Sequence, residues 1–452
     1  MTTQIFLAST PYGTATLAAA LDNGCFAPAA RRVLLVSNNA ATPETTPAPD
    51  AMPGFARLRT RFDDVRSWNA AISPFHPGGW APRPDDVPLW ERYLRLAWDL
   101  GDAEDEPVEL VVESLQVNPA LGLVQIFPGA QVTVYADGLM SYGPTRSKLD
   151  PLVGMRVARL LHLDLVPGLT PLLLTEFGVE AEAVPTDAFL RVLAELGGTG
   201  GELPVYDRPA LLLGQYLAAL GILTPEEEEA LHVRMLRGAS QLGHRQLVFK
   251  PHPAAPAGWS RVLEKEAAEL GVELTVLDSP VLAEVLYERL RPALVVGCFS
   301  TALFTAATLY GLPVARTGTG LLLERLTPYE NSNRIPVTLT DALLPELTDR
   351  AAVETQEQGM SVSELGELLR AVGFAMQAKI YPELRPAAER YLAAHLDERT
   401  RRYFKRRRLT ALALPGAVPA QLSFLPLSFL PRNATVRKVA RRARSLRRAV
   451  RR

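Results

Sequence analysis

The segment L-V-F-K-P-H-P at residues 247–253 predicts both a fold class and a ligand site. Its apolar start is typical of a buried strand, and two prolines end that strand because they fix φ and remove backbone donors. The last side chains of such a strand lie at the carboxyl edge of an open α/β sheet, where ligands bind. Lys250 and His252 would place there a permanent cation and a group that exchanges a proton near neutrality. The alternative is an ordinary turn in which His252 caps a backbone carbonyl.

Three more apolar strands in the second half of the chain end in polar or glycine-containing turns. Their ends lie at Gly214-Gln215, Asp278-Ser279 and Gly297–Thr301. In a parallel sheet, all of these ends would share one edge with Lys250 and His252. The G-C-F-S-T turn at 297–301 precedes a predicted helix, and a helix N-terminus with free N–H groups and hydroxyls favours an anion. A plain Ser or Thr N-cap is the alternative, but the set together predicts a nucleotide-phosphate site.

The first half of the chain also has β-α-β spacing. Strands are predicted at Gln4–Ala8 and Arg32–Ser37, with a helix at Thr14–Leu21 between them. A later strand, Q-V-T-V-Y at 131–135, ends in A-D-G. Asp137 would therefore lie at the sheet edge beside a glycine, where its carboxylate could deprotonate a hydroxyl. An Asp-Gly turn without chemistry is the alternative.

Length and composition predict two folded domains and a separate C-terminal segment. A chain of 452 residues with 48% hydrophobic residues suits two α/β domains of about 200 residues each. The glycine-rich run G-G-T-G-G at 197–201 predicts the linker, which gives Rossmann-like domains at 1–200 and 201–400. Cys25 and Cys298 are too far apart in sequence to indicate a disulfide framework or a metal site.

The net charge of −1 hides a basic segment at the end of the chain. Residues 401–452 contain 16 Lys and Arg and no Asp or Glu, which leaves 32 basic against 49 acidic residues elsewhere. A proline-interrupted apolar stretch, 409–431, precedes a basic amphipathic pattern at 435–452, and we expect this tail to bind an anionic membrane surface. We do not expect nucleic acid as a partner, because no aromatic residues alternate with these arginines.

The first residues and the apolar runs of the sequence bear on where the protein is located. The first residues, M-T-T-Q-I-F-L-A, show neither a basic n-region nor a long apolar h-region, and no apolar run is long enough to span a bilayer. We therefore expect a cytoplasmic protein that is peripherally associated with the inner face of the plasma membrane.

Taken in order, four motifs resemble those of the bacterial sialyltransferases, in particular the polysialyltransferase group. Y-A-D-G at 135–138 is similar to the D/E-D/E-G motif of that family, and F-K-P-H-P at 249–253 to its H-P motif. V-G-C-F-S-T at 296–301 is similar to the serine-pair motif, and A-E-V-L at 283–286 to the segment whose glutamate holds the donor ribose. Two positions depart from the family pattern: Ala136 replaces the first acid, and Thr301 replaces the second serine.

The resemblance implies a GT-B fold, in which two Rossmann-like domains face each other across a cleft. The donor would bind the second domain and the acceptor the first. Asp137 would be the general base, and His252 would hydrogen-bond or protonate the departing CMP phosphate. The implied donor-binding residues are Lys250, Pro253, Glu284, Gly297, Ser300 and Thr301.

The implied reaction is an inverting transfer of sialic acid, or a related nonulosonic acid, from a CMP-activated donor to a glycan hydroxyl in cell-surface polysaccharide synthesis. We expect no metal and no cofactor, because Lys250, His252 and a helix N-terminus can balance the charge of one phosphate. Two alternatives stay open. One is a transferase for CMP-activated Kdo or Kdn; the other is a catalytically lapsed GT-B scaffold that binds a nucleotide or glycan in an envelope complex, which Ala136 would favour.

Overall fold

The first sheet is parallel and has seven strands. The computed structural model describes residues 2–102, 106–198, 206–252, 259–277, 281–357 and 359–417. The strands are β1 (Thr3–Ala8), β2 (Arg31–Val36), β3 (Asp64–Ser67), β4 (Val108–Val112), β5 (Gln131–Ala136), β6 (Val157–Leu163) and β7 (Ala181–Val184). Their order is β3-β2-β1-β4-β5-β6-β7, and every neighbouring pair is parallel. All carboxyl ends therefore meet at one edge.

The second sheet repeats this design with five strands. They are β8 (Ala210–Leu213), β9 (Gln246–Lys250), β10 (Glu273–Val276), β11 (Leu294–Gly297) and β12 (Val314–Arg316), in the order β10-β9-β8-β11-β12. Again every pair is parallel. In both sheets the chain begins in the interior and then moves outward to either side, which is the order of a doubly wound Rossmann-like fold. The predicted pair of parallel α/β sheets is confirmed.

Helices connect the strands and cover both faces of the sheets. They are α1 (Pro11–Asp22), α2 (Phe55–Leu58), α3 (Trp68–Ile72), α4 (Val87–Trp98), α5 (Ala120–Ile126), α6 (Pro151–Gly154), α7 (Thr186–Gly197), α8 (Pro225–Gln241), α9 (Trp259–Leu270), α10 (Ala283–Leu290), α11 (Thr301–Phe304), α12 (Thr319–Arg325), α13 (Arg334–Leu343), α14 (Arg350–Thr355), α15 (Val362–Gln377), α16 (Arg385–His395) and α17 (Arg406–Ala411). A π-helical turn, Thr305–Leu309, continues α11. None of the helices in the described ranges is both long and apolar enough to cross a membrane.

The central strands are apolar because helices bury them from both sides. All six residues of β1 are buried, and so are all four of β8 and of β11. Parallel strands covered on both faces have continuous apolar runs of this kind. Helix α8 begins at a capping box, in which the Thr224 hydroxyl accepts the Glu227 N–H and the Glu227 carboxylate accepts the Thr224 N–H. This pattern fixes where the helix starts.

The C-terminal helices return to the first domain. The hydroxyl of Tyr381, which follows α15, accepts the Thr145 N–H at 3.0 Å and donates to the Leu172 carbonyl at 3.1 Å. Gly143 lies so close to Ile335 of α13 that a Cβ there would be 2.6 Å from Ile335 Cγ1. The polypeptide after β12 therefore joins the two domains.

The beginning of the predicted basic tail belongs to the folded part of the protein. Tyr403, Phe404 and Leu409 are buried, and the Arg402 guanidinium pairs with Asp341 at 3.1 Å. Residues 418–452, which contain the basic amphipathic pattern, lie outside the described residues. The membrane role of that tail therefore stays a prediction.

Candidate active site

A cavity of about 370 Å³ lies between the two domains, at the carboxyl edges of both sheets. The first domain contributes the ends of β4 and β5 and the loop that follows them. The second contributes the turns after β8 and β11, together with residues of α13 and α15. Charged and hydroxyl groups from both domains line it: Glu113, Ser114, Asp137, Ser141, Arg146, Ser300, Thr301 and Ser332. The topology thus brings the predicted base and the predicted phosphate turn to one place.

Asp137 directly follows β5, as predicted from the A-D-G motif. Burial raises the pKa of its carboxyl to about 6. The carboxylate lies against the first turn of α1, since a Cβ on Gly13 would be 3.3 Å from Asp137 Oδ2. The neighbouring Tyr135 hydroxyl donates to the Leu7 carbonyl at 3.0 Å and ties β5 to β1. A carboxylate whose pKa lies close to neutral pH is suited to accept a proton.

Glu113 is a second carboxylate in the cavity, and the sequence analysis missed it. It follows β4, the strand next to β5, and burial raises its pKa to about 7, with a further contribution from the nearby Asp137 carboxylate. The Ser9 hydroxyl, at the end of β1, donates to it. The available signal was its position, because Glu113 is a carboxylate that directly follows the apolar run V-E-L-V-V at 108–112.

Ser300 and Thr301 occupy the turn between β11 and α11. The Ser300 hydroxyl accepts the Ala302 N–H at 3.2 Å and so acts as an N-cap. Thr301 faces the first domain, where a Cβ on Gly138 would lie 3.2 Å from Thr301 Oγ1. Gly297 ends β11 and packs against Leu303; it does not line the cavity. The hydroxyls at this turn lie across the cavity from the first-domain carboxylates.

Glu284 is buried inside the protein, with only 3% of its surface exposed. Its carboxylate accepts a hydrogen bond from the Thr305 hydroxyl at 2.8 Å. Burial raises its pKa, while the Thr305 hydrogen bond and the nearby Lys250 ammonium oppose that shift. Because Glu284 does not line the cavity, its contact with a donor ribose stays a prediction.

Lys250 ends β9 and His252 follows it, as predicted, but neither residue lines the cavity. His252 is exposed, and its ring stacks on Tyr216, with ring centres 5.7 Å apart and planes 10° apart. Surrounding protein atoms lower the pKa of His252, and the Lys250 ammonium lowers it further. Pro253 lies outside the described residues. Within the described ranges, no group of three His, Cys, Asp or Glu could hold a metal ion.

A comparison with protein families identifies the chain. The model of the family described as alpha-2,8-polysialyltransferase matches residues 4–319. The chain belongs to the alpha-2,8-polysialyltransferase family. This member of the family is accordingly a glycosyltransferase, which takes a nucleotide-sugar donor and a glycan acceptor. The match covers β1 to β12 and every residue that the sequence analysis placed in the site.

Solved structures similar to this polysialyltransferase-family chain include two sialyltransferases. The GT-B domain of the sialyltransferase from Photobacterium damselae is 12% identical, with a TM-score of 0.36, and the alignment covers 78% of this chain and 97% of that one. The alpha/beta-galactoside alpha-2,3-sialyltransferase from Photobacterium phosphoreum is also 12% identical, with a TM-score of 0.36 and coverages of 75% and 94%. MurG from Acinetobacter baumannii is 12% identical, with a TM-score of 0.37 and coverages of 86% and 94%. The comparison with curated sequences found no match.

Proposed function

We propose that this protein is an inverting, metal-independent sialyltransferase, which moves sialic acid from a CMP-activated donor to a hydroxyl of a glycan acceptor. One observation carries the proposal. The Asp137 carboxylate, with its pKa raised to about 6, lines the same cavity as the hydroxyls of Ser300 and Thr301 on the opposite domain. An acceptor hydroxyl requires a base, and a departing phosphate requires groups that bind an anion. The two walls of the cavity carry side chains suited to these two tasks.

In the proposed reaction, Asp137 takes the proton from the acceptor hydroxyl. The acceptor oxygen then forms a bond to the anomeric carbon of the sugar, on the face opposite CMP. The bond between that carbon and the phosphate oxygen breaks, and its electron pair leaves with CMP. Such a displacement inverts the anomeric configuration. A carboxyl with a pKa of about 6 is largely ionised at pH 7 and still basic enough to share the proton in the transition state.

The second domain would bind the leaving phosphate. Ser300, Thr301 and the N–H groups at the start of α11 favour an anion, and Lys250 adds a cation at the end of β9, two strands away from β11 in the same sheet. His252 has a lowered pKa in the free protein, so it is neutral at pH 7. A bound phosphate would raise that pKa, because it stabilises the protonated ring. Donor binding would thereby protonate His252, and the protonated ring would donate its proton to the departing CMP phosphate.

We also propose that the product enters a cell-surface polysaccharide and that residues 418–452 hold the enzyme at the inner face of the plasma membrane. The support is the charge pattern of that segment, which has basic residues on an amphipathic repeat and no acidic ones. A flotation experiment tests this point. The full chain should bind vesicles that contain anionic lipid, whereas a chain ending at residue 417 should not.

The direct test is release of CMP from CMP-sialic acid in the presence of an oligosialic acid acceptor, with and without EDTA. We expect transfer in both cases, and a product whose new linkage has the anomeric configuration opposite to that of the donor. CMP-Kdo and CMP-Kdn are run in parallel to identify the preferred donor. Transfer only with UDP- or GDP-sugars would contradict the proposal. Nucleotide binding with no transfer from any donor would support the lapsed scaffold instead.

A further inference from the structure

Arg146 lies on the first-domain wall of the cavity, in a loop held from two sides. Its backbone N–H donates to the Gln116 side chain, and its carbonyl accepts from Gln377 of α15. Gln116 also lines the cavity. The position of the Arg146 backbone is therefore fixed by both the first domain and the C-terminal helices.

Among the residues that the structure describes, the guanidinium of Arg146 has only one weak contact. Its Nη2 lies 3.7 Å from the sulfur of Met140, which is a weak acceptor. Among the described residues, no Asp or Glu forms an ion pair with it, although Glu113 and Asp137 line the same cavity. Arg156 is a useful contrast, because its guanidinium donates to four backbone carbonyls, those of Leu152, Phe127, Ala130 and Val124. Arg156 is a structural arginine, whereas Arg146 keeps its donors available.

Arg146 is also the only Arg or Lys among the described residues that line the cavity. A guanidinium presents parallel N–H donors whose geometry matches a carboxylate. Arg146 is exposed, so its guanidinium is accessible to an anionic group of a ligand that enters the cavity. We propose that Arg146 binds the carboxylate of a sugar held in the cavity. This inference rests on the proposed function, and the carboxylate could come from the acceptor or from the transferred sugar.

A binding measurement tests the proposal without requiring activity. The probes are the α-methyl glycoside of sialic acid and its carboxyl methyl ester, compared by calorimetry on the full chain. We expect the wild type to bind the free acid at least tenfold more tightly than the ester. Arg146→Gln should lose that preference, and Arg146→Lys should keep only part of it, because lysine has the charge without the paired donors. The matched control is Lys148→Gln, which changes an exposed cation two residues away, outside the cavity.

Two results would overturn the proposal. One is a wild type that does not distinguish acid from ester; the other is an Arg146→Gln protein that still does. Unchanged CMP binding and an unchanged melting temperature show that the variant is folded. If neither the wild type nor any variant transfers sugar, the proposed function is wrong. The binding comparison still tests whether Arg146 binds a carboxylate.

Steady-state kinetics identify the source of the carboxylate. If it belongs to the acceptor, Arg146→Gln should raise the KM for an oligosialic acid acceptor about tenfold or more and leave the KM for lactose unchanged. If it belongs to the donor, the variant should raise the KM for CMP-sialic acid with either acceptor. Unchanged KM values for all three substrates would contradict both versions.

Discussion

Gly138 and Thr301 meet across the cleft between the domains, where a Cβ on Gly138 would lie 3.2 Å from Thr301 Oγ1. The glycine of the A-D-G motif thus allows the base next to it and the phosphate turn to approach each other. Gly138→Ala should displace the Thr301 hydroxyl by a few tenths of an ångström and lower kcat/KM by up to about tenfold, since small displacements of groups in the site are costly. Gly129→Ala is the matched control, because nothing lies within 4 Å of a Cβ there. Equal activity of the two variants would contradict this prediction.

The pH dependence of transfer should report the ionisation of Asp137. The base must be deprotonated to work, so kcat/KM should fall as the pH drops below about 6, the pKa of Asp137. Glu113 has the higher pKa, about 7, so it is mostly protonated and uncharged in the range where Asp137 titrates. Glu113→Gln should therefore leave the acid limb close to its wild-type position. A rate profile that stays flat from pH 8 to pH 5, or an acid limb that moves by about one pH unit or more in Glu113→Gln, would be incompatible with these roles.

His252 should contribute to CMP binding through a charge-assisted hydrogen bond. His252→Ala should weaken binding by about 1.5–3 kcal/mol in a titration without added metal. Because binding requires the protonated ring, the difference between wild type and variant should shrink as the pH rises. Tyr216→Phe keeps the ring that stacks on His252 and serves as the control. If wild type and His252→Ala bind CMP with equal affinity at pH 6, His252 does not contribute to the donor site.

The contact between Gly143 and Ile335 should stabilise the packing of the two domains. Gly143→Ala places a Cβ 2.6 Å from Ile335 Cγ1 and should lower the free energy of unfolding by about 1–3 kcal/mol. In an Ile335→Ala background the added methyl has more room, so the same substitution should cost less. Denaturant titrations of the four proteins measure this coupling. Independent, additive effects would show that the two residues do not constrain each other.

Much of the fold could be predicted from short apolar strands that end in turns. Parallel strands buried on both faces leave a strong signal, and the prediction for β9 and Lys250 is confirmed almost to the residue. The shared edge within each sheet followed from topology, whereas the cleft between the domains, which Asp137 and Thr301 both line, was implied by the family resemblance. By contrast, nothing local in the sequence indicates that Tyr381 binds Thr145, because that contact joins residues more than two hundred positions apart.

The site was harder to predict where side-chain direction decides the outcome. The motif that contains Glu284 was recognised, but its carboxylate accepts a hydrogen bond from Thr305 inside the protein, and periodicity does not determine such a hydrogen bond. Glu113 and Arg146 were missed because neither belongs to a motif. Glu113 is recognised only because the folded chain places it beside Asp137, and Arg146 only because it lines the same cavity and forms no ion pair among the described residues.

The most direct test of the account is Asp137→Asn, measured for both donor binding and transfer. We predict that the variant binds CMP as tightly as wild type and transfers sialic acid about 10²- to 10⁴-fold more slowly, because only the proton acceptor is lost. Asp207→Asn, which changes an exposed aspartate outside the cavity, should behave as wild type. Transfer by Asp137→Asn at the wild-type rate would contradict the central claim that Asp137 is the base.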